Sequence, residues 1–228
     1  MKQVVILAGG KGTRLKEVSG NLPKPMVPVL GKPLLQHLIE QCVEYGITDI
    51  KLLVSYKKEV IEDYFGDGDQ YGATIQYIVE DTPRGTAGAL MDALPELDEQ
   101  FLVVYGDTFF DIDLGSFWTF HQNQAGDASI FLHPNDHPYD SDLVEVNSDF
   151  QVQKIHPYPH DNQWRQNLVN AAVYIFNKNA LQGVDLISDR PDIAKELFPL
   201  MLESKKKLYG YISTEYIKDM GTPKRLSK

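Results

Sequence analysis

Apolar residues come first as an unbroken block over 4–8, and a block without alternation is what a strand buried on both faces of a parallel sheet requires. Glycines at 9, 10 and 12 end it, so the strand opens into a loop. Leu34, Leu35, Leu38, Ile39, Cys42 and Val43 then recur at helical spacing behind Pro33, which reads as the N1 proline. Tyr45 and Gly46 close that helix. A second buried strand spans 50–55, and Val60, Ile61, Tyr64 and Phe65 mark a helix over 57–65 that Asp67, Gly68, Asp69 and Gly72 break. Residues 74–79 alternate as a third strand, 85–94 read as a helix, and 101–105 form a buried strand running into Gly106 and Asp107.

Strands alternating with helices of about ten residues imply βαβ crossovers and a largely parallel sheet flanked by helices, a Rossmann-like α/β fold. The texture changes past residue 129. Strands at 129–133, 143–146, 152–155 and 168–176 follow with few helices between them, which predicts a β-rich lobe inserted on that framework. A helix over 193–202 and short strands at 208–212 and 215–217 complete the chain. The expectation is one domain over 1–228, with a strand–helix half at 1–112 and a β-rich half at 113–228.

Composition narrows the partners. A net charge of −10 and a pI near 5.0 exclude the broad basic face that nucleic acid or an anionic membrane needs. The single cysteine, Cys42, lies on the apolar helix face and has no internal disulfide partner, which fits a reducing cytoplasm. The apolar run before the first glycine is too short for a signal peptide, and no stretch has the length of a membrane span. A homo-oligomer is compatible with this composition.

The cations that matter are local. Gly9, Gly10, Lys11, Gly12, Thr13 and Arg14 follow Leu7 at the strand end, and Lys24 lies between Pro23 and Pro25. Glycines let backbone N–H groups approach an anion, Arg14 can grip phosphate oxygens through two bonds, and Lys24 offers a point charge. The run lacks the Gly-Lys-Ser/Thr ending of a P-loop and the spacing of a dinucleotide site, and it is too long for a plain surface turn. Asp107 and Asp219 each end a strand, where two carboxylates and a substrate phosphate could hold Mg²⁺; a turn residue and a helix cap are the plainer alternatives. Asp111 and Asp113 read as helix-entry residues. The stretch 80–89, with Gly85, Thr86 and Gly88, suits either close approach of a flat ring or a tightly packed helix start. The polar loop over 133–142, including Asp142, could meet hydroxyls. His133, His137, His156 and His160 have no paired metal-ligand spacing and read as solvated loop residues.

Gly-Gly-x-Gly-Thr-Arg-Leu followed by Lys24 resembles the signature of the sugar-1-phosphate nucleotidyltransferases. That resemblance implies an NTP and a sugar 1-phosphate as substrates, Mg²⁺ on Asp107 and Asp219, and Arg14, Lys24 and Asp107 as catalytic residues. It places nucleotide contacts at Leu7, Gly9, Gly10, Lys11, Gly12, Thr13, Gly85, Thr86 and Gly88, and sugar contacts at Asp142 and Asn170. The first half would bind the nucleotide and the second the sugar. Gly85-Thr86-Ala87-Gly88 is similar to guanylyltransferases, hence GTP, and the loop 133–142 resembles the D-glycero-D-manno-heptose 1-phosphate branch, some of it fused to a haloacid-dehalogenase-like phosphatase and serving lipopolysaccharide or capsule synthesis. Because the helix opened near Pro223 stops at Lys228, the chain is expected to be the amino-terminal part of a longer bifunctional protein. Two departures stand out: Pro157, Tyr158 and Pro159 replace the family's usual Glu-Lys-Pro, and Ala172 stands where glycine is common. Rival readings are a mannose 1-phosphate guanylyltransferase, a UTP- or dTTP-using hexose enzyme, a nucleotide-sugar sensor and a Rossmann oxidoreductase. The last predicts an acid closing the second strand, where Ser55 and Tyr56 stand.

Overall fold

A computed structural model describes residues 1–10, 22–161 and 163–220. The chain divides into two compact units. One comprises Met1–Pro83, Leu102–Ile112 and the chain from Tyr216 on; the other comprises Arg84–Phe101 and Asp113–Glu215.

In the first unit the apolar block becomes β1 (Gln3–Leu7), with Val4, Val5 and Ile6 fully buried. A short hairpin, β2 (Pro28–Val29) and β3 (Lys32–Pro33), leads into α1 (Leu34–Glu44). Pro33 occupies the cap position before α1 rather than its first turn. The predicted face of α1 is buried through Leu35, Leu38, Ile39 and Cys42, and burial pushes the Cys42 thiol up to about 12. β4 (Asp49–Val54), α2 (Lys58–Phe65) and β5 (Thr74–Val79) follow within a residue or so of the expected bounds. β1 pairs in parallel with β4, and β4 with β5.

Helix α3 (Gly85–Ala93) opens the second unit. β6 (Gln100–Tyr105) then returns the chain to the first, where it runs parallel to β1 on the side away from β4. The order β6-β1-β4-β5 is the parallel α/β framework that the alternation of strands and helices predicts. β7 (Thr108–Asp111) is a strand that the sequence pattern does not announce. Asp111 is its last residue, whereas Asp113 does enter a helix, capping α4 (Leu114–Gln124) by accepting the Ser116 N–H at 2.9 Å.

The rest of the second unit is β-rich, as the change of texture indicates. β8 (Ala128–His133), β9 (Leu143–Val146), β10 (Val152–His156) and β11 (Val169–Asn177) pair antiparallel as β8–β11, β9–β10 and, through one residue pair, β9–β11. α5 (Lys178–Leu181) is a single turn. The helix expected over 193–202 starts as a π-helical turn, Ile193–Leu197, and continues as α6 (Phe198–Glu203). β12 (Leu208–Ile212) lies parallel to β8, and β13 (Tyr216–Asp219) ends the described chain back in the first unit, antiparallel to β7. Aromatic packing fills the second unit: Phe176 stacks on Phe198, and Tyr174 meets Phe198 edge-on at 5.0 Å.

Candidate functional site

The carboxyl ends of the four parallel strands are tied to one another by backbone bonds. Ala8 N–H donates to Leu53 O at 2.8 Å, Glu80 N–H to Val54 O at 2.9 Å, and Gly106 N–H to Leu7 O at 3.0 Å. A Cβ on Gly106 would lie 3.1 Å from Leu7 O, so the glycine is what lets β6 close on the exit of β1. Asp107 follows directly, at the edge where open α/β sheets take their ligands. Gly9 is hemmed in by the residues just past β4 and β5, since its Cβ would stand 2.9 Å from Glu80 Oε2 and 3.3 Å from Ser55 Cβ. Gly10 is exposed, and among the described residues nothing lies within 4 Å of such a Cβ. Leu7 is half-buried at the strand end. Lys11, Gly12, Thr13 and Arg14 lie outside the described residues.

Asp107 and Asp219, far apart in sequence, are brought together by the β7–β13 ladder. Asp219 sits across from Thr108, and Met220 N–H donates to Asp107 O at 2.9 Å. Asp219 is thus the last residue of its strand, which runs two residues past the expected end at 217. The ribbon is fixed on α1 by the Phe109 ring, which meets His37 edge-on at 5.4 Å and Tyr216 at 6.0 Å. Gln41, with its amide oriented to satisfy both ends, bonds Phe110 O at 2.9 Å and Ile112 N at 3.2 Å.

Lys24 meets the two acids. It lies in a one-turn 3₁₀ segment, Lys24–Met26, closed by Met26 N–H to Pro23 O at 2.9 Å, and the flanking prolines restrict the backbone on both sides. Its ammonium forms an ion pair with Asp107 Oδ2 and stands 4.0 Å from Asp219 Oδ1. The lysine side chain is 14% exposed against 28% for Asp107 and 47% for Asp219, so the cation is the most sheltered of the three. In its chemistry the donor set fits a small hard divalent ion, since two carboxylates leave coordination positions for substrate oxygens.

In the second unit Gly85 and Gly88 are needed by packing. Gly85 has φ +73°, and a Cβ there would lie 2.5 Å from Pro191 O; at Gly88 it would lie 2.9 Å from Arg84 Cβ. Thr86 Oγ1 donates to Asp192 Oδ2 at 3.0 Å and accepts from Ile193 N–H at 2.9 Å. Asp192 in turn caps the π turn through Ala194 N–H and Lys195 N–H. This run therefore locks α3 against the 190–195 segment.

Asp142 and Asn170 come together through the backbone, since Asn170 N–H donates to Asp142 O at 2.9 Å. The Asp142 side chain accepts Tyr158 N–H at 2.7 Å, and Lys195 Nζ donates to Tyr158 O at 3.0 Å, so one residue of the Pro157-Tyr158-Pro159 departure is held at both ends. Burial pushes the Asp142 carboxyl above its ordinary value, and the Tyr158 N–H and Lys195 oppose that shift. Asn170 Oδ1 accepts Ala172 N–H at 3.0 Å across a bulge in β11, where Ala172 itself has φ +58°.

The histidines are more ordered than their loop sequence suggests. His156 lies in β10 with its Nε2 2.8 Å from Glu145 Oε1, His160 Nε2 donates to Ser141 O at 3.0 Å, and His137 Nδ1 is 2.8 Å from Asp140 Oδ1. Among the described residues no group of three or more His, Cys, Asp or Glu could hold a metal ion, and no helix is long and apolar enough to cross a membrane.

A sequence model of the family described as nucleotidyl transferase matches residues 3–228. The mannose-1-phosphate guanylyltransferase of Mycobacterium tuberculosis is 33% identical over 221 residues, covering 96% of this chain and 61% of the relative. The chain thus spans about three fifths of that relative's length. The D-glycero-alpha-D-manno-heptose 1-phosphate guanylyltransferase of Campylobacter jejuni is 35% identical over 224 residues, covering 97% of this chain and 95% of that one. Among solved structures, HddC from Yersinia pseudotuberculosis superposes with a TM-score of 0.84 at 30% identity, over 100% of this chain and 97% of that one; a complex of it with GMP-PN scores 0.82.

Proposed function

The chain belongs to the nucleotidyl transferase family, and from that premise we propose that it joins a nucleoside triphosphate to a sugar 1-phosphate, releasing pyrophosphate and an NDP-sugar. The observation that carries this reading is the convergence of Lys24, Asp107 and Asp219 at the carboxyl ends of β1 and β6. A sugar phosphate is already an anion, so in-line attack on the α-phosphorus needs no general base; it needs positioning and charge neutralisation. Lys24 supplies positive charge beside the reacting phosphates, with Arg14 proposed to grip phosphate oxygens from the glycine loop. Asp107 and Asp219 would hold Mg²⁺, which when bound neutralises phosphate charge as a Lewis acid. Gly10, which has no side chain, is the proposed backbone contact for the nucleotide.

The proposed triphosphate is GTP and the proposed sugar D-glycero-D-manno-heptose 1-phosphate. Support comes from the Campylobacter jejuni relative, which matches along nearly its whole length, and from the GMP-PN complex of the Yersinia protein. The Mycobacterium tuberculosis relative supports mannose 1-phosphate as a second reading. Asp142 and Asn170 are the proposed sugar-side residues, and the stretch from Gly85 to Gly88 the proposed base-side one. Pyrophosphate release, screened with GTP, ATP, UTP, CTP and dTTP against heptose, mannose and glucose 1-phosphates, tests the proposal. GTP with a manno-configured sugar should lead, and preference for UTP or dTTP would overturn the base assignment.

A further inference from the structure

We propose that Lys24 is the internal counter-ion of the Asp107–Asp219 pair in the metal-free protein, and that a divalent cation enters only by displacing it. The inference rests on reading that pair as the metal carboxylates. Its ground is the position of the ammonium, which is paired with Asp107, 4.0 Å from Asp219, and the least exposed of the three groups. A sheltered ammonium needs an anionic partner, and two carboxylates held side by side by the β7–β13 ladder need a cation. Each meets the other's need while no ligand is bound. An ammonium and a divalent ion cannot share that space, because like charges at contact repel strongly at a partly desolvated site. The Lys24 backbone is fixed by its prolines, but its four-carbon stem can swing the charge aside.

Metal entry therefore costs the lysine its partners, and an incoming triphosphate supplies new ones. Metal and nucleotide then both favour the displaced lysine, and each should tighten binding of the other through it. Lys24 on this view is a positioning residue for the metal as well as a charge on the phosphates.

The test is Mn²⁺ binding followed by electron paramagnetic resonance, with no sugar present and hence no turnover. Lys24→Met should bind Mn²⁺ about tenfold more tightly than the native protein in the absence of nucleotide, the order of effect expected when one nearby positive charge is removed from a partly exposed site. GTP should tighten Mn²⁺ binding by a smaller factor in Lys24→Met than in the native protein. Lys24→Gln, measured beside it with thermal midpoints for both, guards against a misfolded variant. Equal or weaker Mn²⁺ binding in folded Lys24 variants overturns the inference. Asp107→Asn separates the two levels. If it weakens Mn²⁺ binding while the Lys24 variants fail to tighten it, only the displacement idea falls. If it leaves Mn²⁺ binding unchanged, the acid pair is not the metal site and both readings fall.

Discussion

Gly85→Ala is the substitution that separates packing from ligand contact at the start of α3. The position has φ +73°, where an alanine costs about 1–2 kcal/mol. Its Cβ would press to 2.5 Å from Pro191 O and 2.7 Å from Arg190 C, backbone atoms that cannot rotate away, and overpacking of this kind costs about 1–3 kcal/mol. The bond from Ala87 N–H to Pro191 O, 3.0 Å long, is strained by the same movement. Restricting the unfolded chain returns only about 0.4–1 kcal/mol. A net loss of about 3 kcal/mol follows at the middle of these ranges, and at roughly 2–4 °C per kcal/mol for a chain of this size the midpoint should fall by about 6–12 °C. Gly88→Ala is the control. Its φ lies outside the left-handed region, so it meets only the contact at 2.9 Å from Arg84 Cβ, an overpacking of about 1–3 kcal/mol that helix propensity offsets by about 1 kcal/mol, and its midpoint should fall less than that of Gly85→Ala. The assay is thermal unfolding beside calorimetric GTP binding. A Gly85→Ala protein that melts normally yet binds GTP weakly would refute the packing argument and give the glycine to the ligand.

Ala172→Gly should stabilise the protein by about 0.5–1 kcal/mol, because relief of a left-handed alanine outweighs the extra freedom of glycine in the unfolded chain; an unchanged or lower midpoint would contradict the strain at φ +58°. Acid should expose His121, which is 1% exposed on α4 with its Nδ1 2.9 Å from Ser129 Oγ, and which burial holds below its ordinary value of 6.5. Below pH 6.5 the unfolded chain takes up a proton that the folded one refuses, so stability present above 6.5 is lost as pH falls toward the folded value; His121→Gln should flatten the midpoint-against-pH curve in that window, and an unaltered slope would sink the assignment.

Most of the first unit is legible in the sequence because its strands are buried on both faces. Continuous apolar runs at β1 and β6, and a run at β4 broken only by Lys51, admit few other readings, and the face of α1 from Leu35 to Cys42 repeats at helical spacing. β7 is invisible for a physical reason. Thr108, Phe109, Phe110 and Asp111 are too few to show a period, and the strand exists because β13, remote in sequence, pairs with it. Propensity does not encode a partner. The π turn before α6 is hidden likewise: Asp192 caps it and Thr86, remote in sequence, accepts its first N–H, while apolar spacing alone reads as an ordinary helix.

The same distinction runs through the site. Lys24, Asp107 and Asp219 are legible as residue types, each beside a proline or glycine or at a strand end, but their convergence depends on the register of a two-stranded ribbon. A slip of one residue in that ladder would turn Asp219 to the opposite face and leave Lys24 with Asp107 alone. Thr108 is buried across from Asp219, and Phe110 is buried across from Ile217, which is buried too, so burial along the ribbon favours this register independently of the acids it aligns. Electrostatics alone would oppose that alignment, because two carboxylates brought side by side repel. The packing of the ribbon on α1 therefore holds the acids together, and the Lys24 ammonium offsets their repulsion.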